Sequence, residues 1–115
     1  MDKSIEVIFS DQAKEMYDYL LEKSSTCKIE RSILNAIKKK IELIKEDFFY
    51  GEPIAKRIIP SVYKDKYQID NLYRVVLPNY WRMLYALVDE EIKIIALIVD
   101  VVDHSDYSKA FGYRK

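Results

Sequence analysis

Cysteine and histidine occur once each, as Cys27 and His104, in a chain of 115 residues. A single cysteine excludes a disulfide framework and fits a reducing compartment. One Cys and one His are also too few for a Cys/His zinc site, which takes about four such ligands. Glycine occurs twice and proline three times, which excludes a collagen-like, linker-like or disordered chain. The longest apolar run, residues 94–99, is strand-sized, far short of the roughly 20 residues a membrane helix needs. Met1, Asp2 and Lys3 lead into no apolar stretch of the signal-peptide kind. These absences predict a cytoplasmic protein without membrane contact. Net charge is missing too. Nineteen basic and nineteen acidic residues cancel, so the whole chain carries no electrostatic footprint for nucleic acid.

Half of the residues are hydrophobic, enough for one continuous core in a domain of this size. Charge is uneven along the chain. Residues 1–52 hold 9 basic and 11 acidic side chains, and residues 53–115 hold 10 and 8, so an anion site is expected in the second half. Lys, Glu, Ile and Tyr are abundant and Gln occurs only at Gln12 and Gln68, a bias met in hyperthermophile proteins.

Hydrophobic spacing divides the chain in two. Residues 4–9 alternate, with Ile5, Val7 and Phe9 on one face, and predict a strand. Ser10 or Asp11 can cap a following helix over 11–24. Its apolar stripe is Ala13, Met16, Tyr17, Leu20 and Leu21. Ser24, Ser25 and Thr26 break it. A second helix is expected from Lys28 or Ile29 to Asp47, with the stripe Leu34, Ile37, Ile41, Ile44 and Phe48, widened by Ile29 and Ile33. Gly51 and Pro53 end the helical part. Residues 54–59 are expected as a strand or extended edge, and 60–67 as a helical turn or loop. Strands are predicted over 72–77, 81–88 and 92–102, with a tight connection at Pro78 and Asn79. The last strand is apolar on both faces, which places it centrally. Ser105 can cap a short helix over 106–111 stopped by Gly112. The expected class is α+β: a single domain, 1–115, with an N-terminal strand and a helical hairpin on an antiparallel meander, and a short C-terminal helix.

Several short motifs then coincide. Asn71-Leu72-Tyr73-Arg74, followed by Asn79-Tyr80-Trp81-Arg82-Met83-Leu84-Tyr85, is similar to paired strands bearing a Tyr-Arg-x-x-x-Gly-x-x-Arg-x-x-Tyr pattern. Gly51-x-Pro53 with Lys56 and Arg57 looks like a junction before a meander, and Asp103-His104-Ser105-Asp106-Tyr107 like an ending after a last strand. In this order they resemble the RelE/ParE superfamily of type II toxin–antitoxin toxins. The resemblance implies an mRNA endoribonuclease, ribosome-dependent or free, in the RelE branch, or a gyrase poison in the ParE branch. A small antitoxin protein is the implied partner, RNA the implied substrate of the nuclease. Two features depart from the pattern. Family toxins are distinctly basic and this chain is neutral, and Pro78 stands where the family has Gly in the meander turn. The neutral charge leaves an inactive relative in play.

Metal-free RNA cleavage needs a proton acceptor near neutral pH and cations to hold phosphate charge. His104 is the one side chain with an ordinary pKa in that range, or else a capping histidine. Arg82 shares its strand face with Leu84 and Ala86, and Arg74 with Leu72 and Val76. Each is either a phosphate fork or half of a sheet-face ion pair. Lys56 and Arg57 can grip RNA backbone or simply guard an edge. Tyr107 and Tyr113 can stack on an unpaired base or orient phosphate; Phe111 reads as packing. With the resemblance, His104, Arg82 and Tyr107 form the expected catalytic group, and Lys56, Arg57, Arg74 and Tyr113 the expected RNA contacts, with no cofactor. Asp100, Asp103 and Asp106 form an acidic trio that with His104 can hold Mg²⁺ or Mn²⁺, but Asp103 and Asp106 suit a helix start and this spacing across a strand end does not converge, so no metal is expected.

Overall fold

A computed structural model describes residues 3–112. The chain runs β1 (Ser4–Phe9), α1 (Asp11–Lys23), α2 (Lys28–Glu46), β2 (Glu52–Pro53), a 3₁₀ turn (Lys56–Ile58), α3 (Ser61–Tyr67), β3 (Tyr73–Val76), a second 3₁₀ turn (Pro78–Tyr80), β4 (Arg82–Asp89), β5 (Lys93–Val102) and α4 (His104–Phe111). The α+β class and the helical hairpin agree with the apolar spacing. So does the central last strand, because the sheet order is β1-β5-β4-β3-β2. The β2, β3, β4 and β5 strands pair antiparallel, whereas β1 pairs parallel to β5, with Ser4 opposite Lys93 and Phe9 opposite Ile98.

The helical hairpin covers one face of the sheet. Leu20 from α1 and Ile33, Ile37 and Ile44 from α2 are wholly buried, against Val75, Met83, Tyr85, Ala96, Ile98 and Val101 of the strands. Each such aliphatic chain contributes roughly 1.5–3 kcal/mol through its removal from water. The stripe is narrower than expected at its ends, for Leu21 is 49% and Ile29 55% exposed. Ser10 starts α1 and ties it to the sheet. Its Oγ accepts from the Ala13 N–H at 3.0 Å and donates to the Val99 carbonyl at 2.7 Å.

The opposite face is covered by α3, α4 and the segment after β2. Ile54, Ile59, Tyr63, Leu72, Leu84, Val99, Val102 and Tyr107 form this second core. Residues 54–59 are not a strand: Lys56–Ile58 wind into a 3₁₀ turn. Ile54 still donates its N–H to the Leu72 carbonyl at 2.9 Å. Beyond it the chain leaves the sheet edge to cross the face, with Ile59 buried and Ile58 facing out. Pro60, which has no N–H for a ladder, then leads into α3. The α4 cap also differs from expectation. Asp103, not Ser105, stands at the N-cap, its Oδ1 accepting from the Asp106 N–H at 2.8 Å. A bulge in β5 breaks the register between Leu84–Asp100 and Tyr85–Ile98, leaving Val99 as the extra residue.

Candidate functional site

Register alone assembles the end of the sheet. Arg82, first in β4, pairs with Val102, last in β5, and Val76 at the end of β3 pairs with Arg82. The Pro78–Tyr80 turn and the β5–α4 junction therefore meet at one end of the molecule. Arg74 lies two residues further in, opposite Leu84 on one side and Glu52 on the other. Alternation within each strand, joined by the β3–β4 register, puts Arg74, Arg82, Leu84 and Ala86 on the face away from the helical hairpin.

Tyr107, on the inner side of α4, joins the two arginines. It is buried, and its hydroxyl accepts from Arg74 Nη1 at 2.7 Å. The Arg82 guanidinium lies over its ring, 5.7 Å from the centroid. A buried ring cannot stack on a nucleobase. Tyr107 instead meets both guanidinium groups from beneath the surface, and this corrects the stacking role the sequence suggests. Phe111 packs on Tyr107, with ring centroids 4.5 Å apart, the packing role its position predicts.

The second Arg74 amino group forms an ion pair with Glu52 Oε1. That hydrogen bond is the main reason the Arg74 pKa is raised; burial opposes it. Glu52 is exposed and leaves Arg74 half-buried, so the pair can be exchanged for another anion at the surface. Arg82 donates from Nη1 to the Trp81 carbonyl at 2.9 Å. His104 is the first residue of α4 and is exposed. Its ring lies 6.1 Å from that of Tyr80, at an interplanar angle of 59°.

The site residues expected from the sequence thus divide. Arg74 and Arg82 each contact Tyr107, and His104 stands one helical turn before Tyr107. Lys56 and Arg57 are exposed in the 3₁₀ turn, and Arg57 faces a separate hollow with Lys109 between α3 and α4. Tyr113 lies outside the described residues. The chain matches no protein-family model and no curated protein.

The acidic trio does not converge. Asp103 caps α4. Asp100 is buried, its Oδ2 accepting from Gln12 Nε2 at 2.6 Å and from the Tyr63 hydroxyl at 2.7 Å. Burial raises its pKa against those hydrogen bonds, and burial also raises that of Tyr63. Among the described residues no three His, Cys, Asp or Glu side chains come together as a cation site. No helix among the described residues is long and apolar enough to cross a membrane.

Two participants escape a sequence reading. Glu52 sits opposite Arg74 only because of the β2–β3 register, and nothing local signals that. Tyr80 carries a fainter sign, an aromatic beside Pro78-Asn79. Its φ is 65° and that of Asn79 is 61°. Asn tolerates the left-handed region, whereas a Tyr held there costs about 1–2 kcal/mol. Such strain concentrates at functional sites.

Proposed function

We propose that this chain is a toxin-like mRNA endoribonuclease of the RelE type, in which His104 acts as the base and Arg82 holds the scissile phosphate. The observation that carries the reading is the Arg74–Tyr107–Arg82 contact group beside an exposed His104. The His104 imidazole takes the proton of a ribose 2′-hydroxyl. The 2′-oxygen attacks the adjacent phosphorus, and the bond to the 5′-oxygen breaks. The 5′-oxygen leaves with a proton from water or from the imidazolium. Negative charge grows on the phosphate oxygens, where a fixed guanidinium is worth a few kcal/mol. Tyr107 acts through the arginines. A small antitoxin protein is the proposed partner that holds the activity in check, with RNA, free or on the ribosome, as substrate.

The test is cleavage of a translated mRNA, with and without EDTA. His104→Ala should slow cleavage by about 10²–10⁴-fold, the usual worth of general acid–base help. Full activity in that variant removes the proposed base. Activity abolished by EDTA replaces this chemistry with metal-assisted hydrolysis. The zero net charge and the occupation of Arg74 by Glu52 favour a second reading, a non-catalytic binder of the same fold that poisons gyrase or has lost activity. Growth arrest on expression that survives His104→Ala and Arg82→Ala together, with mRNA intact, supports the second reading over the first.

A further inference from the structure

We infer that Tyr80 is the nucleobase-stacking residue of this site, an exposed platform for an unpaired base next to the phosphate held by Arg82; this rests on the RNA-cleavage reading above. Four observations meet at this residue. Tyr80 is 73% exposed, whereas Tyr107, the ring over which the Arg82 guanidinium lies, is buried. It sits at φ 65°, so its backbone is held in a conformation that a tyrosine does not choose by itself. The turn that holds it is closed at both ends, since Leu77 N–H donates to the Trp81 carbonyl at 3.0 Å and Trp81 N–H to the Pro78 carbonyl at 3.3 Å. Its ring leans on His104 at 6.1 Å, and Arg82 follows two residues later on the strand that leaves the turn.

A large ring presented to solvent on a rigid turn loses little freedom when a flat ligand settles on it. Every nucleobase offers such a flat face, and stacking is tolerant of base identity. Unpaired bases in single-stranded RNA are the form available for this contact, because bases within a duplex are already stacked. With 73% of its surface exposed and the His104 ring tilted at 59° rather than stacked flat on it, Tyr80 has ring surface available to a base. A base seated there places its own ribose and 3′-phosphate toward His104 and Arg82. The same contact would let a chain without net positive charge favour a single-stranded nucleic acid over polyanions that carry no bases: recognition passes through a base and one phosphate, and needs no broad cationic surface.

The experiment compares a fluorescein-labelled single-stranded ribo-oligonucleotide with the abasic strand of the same length, by anisotropy at fixed salt. Wild type should prefer the base-bearing strand by about 5- to 150-fold in Kd, the range for one stacked base. Tyr80→Asn accepts the positive φ but has no ring, and should abolish that preference. Tyr80→Trp should retain it and show tryptophan quenching on binding. Arg82→Ala should weaken both strands alike. A preference that persists in Tyr80→Asn, or a wild type that binds both strands equally, overturns the stacking role while leaving the phosphate contact standing. Arg82→Ala binding as wild type, with the Tyr80-dependent preference intact, overturns the phosphate reading and leaves the stacking. A wild type that binds neither strand overturns both.

Discussion

Tyr85→Phe removes a single oxygen atom and should cost about 2–4 kcal/mol of stability. The Tyr85 side chain is wholly buried. Its hydroxyl accepts from the Gly51 N–H at 2.8 Å and donates to the Phe48 carbonyl at 2.8 Å. It therefore closes two backbone groups in the segment between α2 and β2, where the helical part of the chain turns into the sheet edge. Gly51 is buried, so its N–H would be left without water, a loss of roughly 1–3 kcal/mol. The Phe48 carbonyl is only partly buried and can be rehydrated, so its share is about 1 kcal/mol. Burial pushes the Tyr85 pKa up to about 12, so the hydroxyl stays protonated and both bonds persist across the neutral range. Ring packing is untouched, since the stack on Tyr73 at 5.2 Å does not involve the oxygen. Gly51→Ala probes the same joint from the other side. A Cβ there would stand 2.8 Å from Tyr85 Cε1 and 3.1 Å from Tyr73 Cβ, an overpacking worth about 1–3 kcal/mol. Because both changes act on one contact, the double variant should lose less than the two single losses combined. Urea denaturation followed by circular dichroism reads all three. A Tyr85→Phe loss below about 0.5 kcal/mol, or strict additivity with Gly51→Ala, would refute the idea that this hydroxyl anchors the joint.

Tyr107→Phe should cost about 1.5–3 kcal/mol, the range for a hydrogen bond to a charged group, and under the proposed RNA-cleavage function should lower cleavage through Arg74 while leaving His104 in place; unchanged stability would show that Arg74 needs only Glu52. Asp100 has a raised pKa because it is buried, so the native state holds its proton more tightly than the unfolded chain does. Its protonation supports folding fully below about pH 3.9 and that support is lost as pH rises through the raised native value. Measured against Asp100→Asn, wild type should therefore lose stability as pH rises from acid towards neutral, and a difference that grows in favour of wild type over that window would reverse the assignment.

Much of the architecture is visible in the spacing of apolar residues, and the reasons are local. Ala13, Leu20, Ile33, Ile37 and Ile44 repeat at helical intervals because one side of each helix meets a sheet. Residues 94–102 are apolar on both faces because layers cover both sides of β5. Alternation also sets Arg82 beside Leu84 and Ala86 and Arg74 beside Leu72 and Val76, but only the β3–β4 register brings the two arginines to one face. What spacing cannot carry is pairing between distant segments. Period-two alternation is the same for parallel and antiparallel neighbours, so the direction of β1 against β5 was not legible. The Arg74–Glu52 pair depends on a two-residue strand too short to leave a pattern. Residues 54–59 are rich in β-branched side chains yet turn into a 3₁₀ segment, because crossing the sheet face to α3 outweighs local β preference. By its spacing Asp100 belongs to an acidic trio with Asp103 and Asp106. The bulge at Val99 and the arrival of Gln12 and Tyr63 from other elements make it an interior group.

The parallel pairing of β1 with β5 also governs when this chain can fold. The first strand has no neighbour in the sheet other than β5, which begins at Lys93. β4 also waits for β5 on one side, and α1 lies across it. A nascent chain can wind α1 and α2 early, but their apolar face has no complete sheet to meet until the tenth and last strand residue, Val102, has left the ribosome. Closing a loop of some ninety residues between β1 and β5 is a slow, high-contact-order event. The hairpin's Leu20, Ile33 and Ile37 remain uncovered until then. Truncation before residue 98 should leave a chain that binds chaperones as an unfolded species, whereas loss of α4 alone should leave the hairpin side of the core assembled.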